Sequence, residues 1–150
     1  MNNEANVAAL EKFAEAANTG NFQLFYDVVL PACIDHDAAP GQANGPAGYC
    51  TLFAEFRAAF PDFHAAPDTI VADEDSIAMA YTMTGTHTGP LMGFPPTGKK
   101  MKIRGVQIFK FKDGKVIERW GSSDELGMLQ QLGVTQTPQI RLNSSTIGKF

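Results

Sequence analysis

The sequence predicts an α+β fold, in which a curved antiparallel sheet packs on three N-terminal helices and a short helix ends the ordered chain. Apolar residues recur at helical spacing as far as Phe60, and then the pattern changes to strand-like alternation broken by turn residues. The 150 residues are 44% hydrophobic with eleven Phe, enough to build a single core and well outside the composition of disordered chains. One domain over residues 1–134 followed by a tail over 135–150 is the expected organisation, with no internal repeat.

Each element has a local reason. Val7, Leu10, Phe13, Ala14 and Ala17 share one helix face, and Asn18-Thr19-Gly20 supplies the stop. Asn21 can cap a second short helix carrying Phe22, Phe25, Val28 and Val29, which Pro31 ends. Asp35 to Gly48 is rich in Gly and Pro and is read as a surface loop, the kind of segment that often carries function. A third helix presents Leu52, Phe53, Phe56 and Phe60 and stops at Pro61. Strands are expected at Thr69 to Ala72, Ser76 to His87, Met101 to Lys112 and Lys115 to Trp120. Asp113-Gly114 joins the last two, because this dipeptide accepts the positive φ values of a tight hairpin turn. Leu126, Leu129 and Leu132 give a final helix that stops at Gly133.

Charge and composition narrow the function classes. The net charge is −4, but residues 1–75 hold twelve acids against two bases and residues 76–150 four acids against ten bases. The bases from Lys99 to Lys115 alternate with apolar residues and have no interleaved aromatic platform, which reads as a solvated sheet face rather than a nucleic-acid stripe. No apolar stretch is long enough for a membrane span, and the first twenty residues carry three Glu where a signal peptide would be basic and then apolar. Cys33 and Cys50 are too few for a disulfide framework and suit a cytoplasmic protein with reduced thiols. The wide spacing of His36, His64 and His87 gives no metal-ligand pattern, so no metal is expected. Nucleophile-elbow, Walker and Gly-x-Gly-x-x-Gly motifs are absent.

Candidate site residues emerge from strand parity. Met101, Ile103, Gly105, Gln107, Phe109 and Phe111 should face inward, which puts the Gln107 amide in an apolar row beside a glycine. Such an amide either bonds to structure or points into a cavity. Met79, Tyr81, Met83, Gly85 and His87 form a similar row, and His87 could carry a proton near neutral pH or be a hydrogen-bonded structural residue. His36 between Asp35 and Asp37 could be a tuned general base, or the carboxylates could make local turn bonds around a solvated imidazole. Trp120 is the single Trp, and Asp124 follows it as either an acid or a helix cap.

Several motifs in order carry a family resemblance. Asn18-Thr19-Gly20, Gly85-Thr86-His87-Thr88-Gly89, Gly93-Phe94-Pro95-Pro96-Thr97-Gly98, Phe111-Lys112-Asp113-Gly114-Lys115-Val116 and the segment from Asp124 to Gly133 resemble the SnoaL-like polyketide cyclases over about residues 5–134. The resemblance implies the cone of the nuclear transport factor 2-like superfamily, with a bent sheet wrapped around helices, an internal pocket and homodimers through the sheet. It also implies aldol ring closure of a polyketide ester without metal or cofactor. The family's acid/base Asp on the last strand, with a His and a Gln on the preceding strand, corresponds here to Gly121, Gln107 and Gly105.

The expected function is therefore a cofactor-independent, polyketide cyclase-like (ester cyclase) enzyme acting on a small apolar or aromatic carbonyl compound. Asp124, His36 and Asp37 are the candidate catalytic residues at the pocket mouth; Gln107, Trp120, Phe109, His87 and Tyr81 are the candidate substrate contacts. A non-catalytic ligand-binding protein of the same fold is the alternative, and a dimeric interaction module using the face of Lys102 and Arg104 is a third reading. Trp120 and Gly121 cannot both face inward unless the last strand bulges or ends there.

Overall fold

A computed structural model describes residues 3–134, so the expected tail at 135–150 lies outside the described residues. In chain order the elements are α1 (Asn3–Thr19), α2 (Gln23–Val28), β1 (Val29–Asp35), α3 (Pro46–Ala59), β2 (His64–Ala72), β3 (Ser76–Thr86), β4 (Lys100–Lys112), β5 (Lys115–Ser123) and α4 (Glu125–Leu132). The strands form one curved open sheet in the order β1-β5-β4-β3-β2. Pairing is antiparallel throughout except at β1, which runs parallel to β5.

That first strand is the main departure from the sequence reading, which ended α2 at Pro31 and began a loop at Asp35. Pro31 lies within β1, where the edge position tolerates a residue that cannot donate to a ladder. The true loop runs from 36 to 45, and Pro46 opens α3, where its missing N–H costs nothing. β2 likewise begins at His64, five residues earlier than Thr69, because its register shifts between Pro67 and Thr69 and hides the alternation.

Phe13 of α1 is the centre of the core. Its ring meets Phe25 of α2 at 4.9 Å, Tyr49 of α3 at 5.0 Å and Phe109 of β4 at 5.2 Å, each edge to face. One side chain thus ties three helices to the sheet, and burying such a ring stabilises the fold by about 1.5–3 kcal/mol. β4 buries Met101, Ile103, Gly105, Phe109 and Phe111 in strict alternation, as parity predicts. Asp113 and Gly114 take φ values of 52° and 74° in the hairpin turn. No helix among the described residues is long and apolar enough to cross a membrane.

Candidate functional site

Between the helices and the concave side of the sheet lies a cavity of about 890 Å³. Phe53, Phe56, Phe63, Met79 and Met83 supply much of its apolar wall, and Asp35, Asp37, Tyr49, Tyr81, Gln107 and Arg119 bring polar groups to it.

A bulge in β5 creates this polar group. Lys110 pairs with Glu118, but Phe111 pairs with Val116, so Ile117 is an extra residue. Val116 is buried, and regular alternation from it would carry Glu118 and Trp120 inward. The extra residue reverses the parity beyond it, and Arg119 and Gly121 face the cavity instead. Trp120 is turned to the outer face of the sheet.

Arg119 is held on two sides. Its Nη1 donates to both carboxylate oxygens of Asp35 at 3.1 Å, and its Nε donates to Gln107 Oε1 at 2.9 Å. Asp35 also accepts from the Tyr49 hydroxyl at 3.1 Å, from Gln42 Nε2 at 3.4 Å and from the Asp37 backbone N–H at 3.0 Å. The Arg119 and Asp35 side chains are only 15% and 5% exposed, so the pair is tightly desolvated, and the remaining acceptor capacity of Asp35 is taken up by neighbours. Gln107 both bonds to structure and borders the cavity, combining the two possibilities its position allows. Burial pushes the Tyr81 and Tyr49 phenols above their ordinary range and raises the Cys33 thiol to about 11.

The expected site residues separate into two groups. Asp37, Gln107 and Tyr81 line the cavity. Asp37 Oδ2 accepts from the Gly121 N–H at 2.8 Å, which fixes its carboxylate against the strand position discussed above. His36 points the other way: its ring stacks on Trp120 at 4.6 Å with an 11° interplanar angle, and its Nε2 lies 3.9 Å from Glu118 Oε1. Adjacent residues at a strand end diverge, so the loop delivers one carboxylate and not its neighbouring imidazole. Asp124 caps α4, its Oδ1 accepting from the Gly127 N–H at 2.9 Å, and does not border the cavity. Phe109 is fully buried against Phe13 and Phe111, packed in the core behind the cavity wall.

His87 is also fully buried, against Phe60 and away from the cavity lining. Its Nδ1 lies 3.2 Å from the Thr97 backbone N and 3.0 Å from the Thr97 hydroxyl, and its Nε2 is buried with no hydrogen-bond partner among the described residues. Arg119, Tyr49 and Gln42 complete the polar group and were not among the expected site residues. Nothing in the local pattern announces the Ile117 bulge, although the Trp120–Gly121 parity conflict marks its neighbourhood.

Comparison with known proteins places this geometry among relatives. A family model described as SnoaL-like polyketide cyclase matches residues 7–132. The chain is 29% identical to the nogalonic acid methyl ester cyclase of Streptomyces nogalater over 108 residues, covering 71% of this chain and 78% of that protein. It is 24% identical to the aklanonic acid methyl ester cyclase DauD of Streptomyces sp. (strain C5) over 131 residues, covering 83% and 79% of the two chains. TsrD from Streptomyces laurentii superposes with a TM-score of 0.82 at 23% identity, over 90% of this chain and 99% of that one.

Proposed function

The chain belongs to the SnoaL-like polyketide cyclase family, and from that premise we propose that it closes a ring in a small apolar or aromatic carbonyl ester by cofactor-independent general acid–base chemistry. The observation that carries this reading is the large cavity described above, apolar on most of its wall and polar where Asp37, Gln107, Tyr81 and Arg119 border it. A pocket with few, converging polar groups suits a ligand that is mostly apolar and carries a reactive carbonyl.

Asp37 is the base in this reading. Gly121 stands where the resemblance puts the family's acid/base Asp, and the Asp37 carboxylate is bonded to that glycine's own N–H. Asp37 takes the activated α-proton, the resulting carbanion attacks the distal carbonyl to form the new C–C bond as the C=O π pair moves onto oxygen, and that alkoxide takes up the proton Asp37 holds, directly or through water, to become a hydroxyl and restore the carboxylate. No electron leaves or enters the reactant. A positioned base contributes about 10²- to 10⁴-fold in rate. Incubation with aromatic β-keto esters bearing a distal ketone, followed by chromatography for the cyclised product, tests the reading. Turnover by the native chain that falls about 10²-fold or more in Asp37→Asn supports it; equal turnover by the variant contradicts it.

Non-catalytic binding is the second reading, favoured by the mutual neutralisation of Arg119 and Asp35 in the pocket. Saturable ligand binding without turnover by the native chain selects it. A homodimer through the sheet also belongs to this proposal: Ile34, Val106, Ile108 and Trp120 are exposed apolar residues on the outer strand faces, and a second copy of the chain is the occupant the family relationship implies.

A further inference from the structure

Two glycines on adjacent strands do more than leave space. A Cβ at Gly121 would overlap the Arg119 guanidinium at Nη2, and a Cβ at Gly105 would overlap the Tyr81 hydroxyl. Gln107, paired with Gly121, and Gly105, paired with Ser123, lie two residues apart on β4. The positions that correspond to the family's Asp and Gln are thus filled in space by an arginine and a tyrosine reaching over them. Both side chains border the cavity.

We infer that Arg119 Nη2 and the Tyr81 hydroxyl form a paired donor site for the oxygen of an enolisable carbonyl, so that the cavity binds its ligand as the enolate. This inference rests on the proposed cyclase-like reading and names the oxygen-binding half of that site.

The geometry supports it in three ways. Arg119 has its Nε committed to Gln107 and its Nη1 to Asp35, and Nη2 takes part in neither bond. The guanidinium plane is therefore set before a ligand arrives, and a donor that needs no reorganisation stabilises developing charge most effectively. The Tyr81 phenol lies beside Arg119 and Ser123, and burial keeps it protonated and able to donate. Asp37, on the N–H of Gly121, stands next to the same strand position. Asp37 and the Arg119 guanidinium meet at Gly121, and the Tyr81 hydroxyl stands over Gly105 on the adjacent strand. When Asp37 removes the α-proton, the C–H electron pair moves onto the carbonyl oxygen, where Nη2 and the phenol donate to it. In the ring closure that follows, that pair forms the C–C bond.

Benzoylacetone is a suitable probe, because its enol and enolate absorb at different wavelengths and it cannot cyclise. Saturating native protein should raise the enolate fraction at a pH where the free probe is mostly neutral. Tyr81→Phe, which removes one hydroxyl and keeps the ring, should lower the apparent ionisation constant of the bound probe by about tenfold. Gly121→Ala, which displaces the guanidinium, should act in the same direction, with thermal denaturation confirming that both variants fold. The gem-dimethyl analogue, which cannot enolise between its carbonyls, should lose less affinity on going from the native chain to Tyr81→Phe than the enolised probe does. No enolate on saturated native protein, an unchanged enolate fraction in both variants, or equal loss of affinity for the analogue each overturns the inference. Enolate formation without turnover of any cyclisable ester would leave this site standing and remove the cyclase reading.

Discussion

Arg119 Nη1 donates to both oxygens of Asp35 at 3.1 Å, across a pair of strands that run parallel although their residues are 84 positions apart in sequence. This contact joins the edge strand β1 to its neighbour β5 and aims the guanidinium at the cavity. The pair is buried, so its two members are worth more together than separately. Asp35→Ala leaves the Arg119 charge desolvated and unpaired and should cost about 3–5 kcal/mol in urea denaturation. The double variant Asp35→Leu/Arg119→Met removes both charges and should recover most of that loss while abolishing the effect of the cavity on an enolisable ligand. A single substitution that costs under about 1 kcal/mol would show the pair to behave as a solvated surface contact.

Cys33 predicts an alkaline response. Burial raises its thiol to about 11 from an ordinary value of 9.0. The folded chain holds this proton more tightly than the unfolded chain, so the contribution to stability is complete below about 9 and is lost as pH rises through about 11. Tyr49 and Tyr81, whose phenols burial also raises, act in the same direction. The urea midpoint should fall over this alkaline window, and Cys33→Ala should reduce the fall. Thiol titration with an aromatic disulfide should find Cys33 unreactive in the folded chain at pH 8 and reactive in denaturant.

Charge around the cavity predicts selection between ester and acid. Glu11, Glu15, Asp35, Asp37 and Glu125 border it, and Arg119 is the one basic residue among the described lining residues. A ligand carrying a free carboxylate meets net negative potential, whereas its methyl ester does not. Isothermal titration should show the ester binding more tightly than the matching acid, with the difference shrinking as salt rises. Equal affinities at low salt would contradict this.

Trp120 should report the outer face of the sheet rather than the cavity. Its ring lies on His36, with Ile108 as its cross-strand partner. If a second copy covers this face, dilution should shift Trp120 emission to longer wavelength in step with a fall in mass by light scattering, and Ile108→Lys should give the monomer spectrum at all concentrations. Cavity ligands should leave the emission nearly unchanged.

The fold was largely legible because its strongest signals are periodic. Alternation in β4 places Gln107 inward beside Phe109, the helical stripe of α1 places Phe13 in the core, and Asp113-Gly114 marks the hairpin. β1 was missed because Pro31 reads as a helix stop, while an edge strand accepts it. The candidate site was half legible. Asp37, Gln107 and Tyr81 reach the cavity, whereas His36 stacks on Trp120 and Asp124 caps a helix. One extra residue at Ile117 exchanges Trp120 for Arg119 on the inner face, and parity cannot locate a bulge that leaves the hydrophobic pattern intact.

The most direct measurement is the rate of α-proton exchange with solvent deuterium in an aromatic β-keto ester, followed by NMR at saturating protein. This partial reaction needs the base and the cavity but no ring closure. The native chain should accelerate exchange over buffer, Asp37→Asn should lose about 10²-fold or more of that acceleration, and His36→Gln and Asp124→Asn should retain it. Acceleration that survives Asp37→Asn, or that disappears with His36→Gln, would contradict the account.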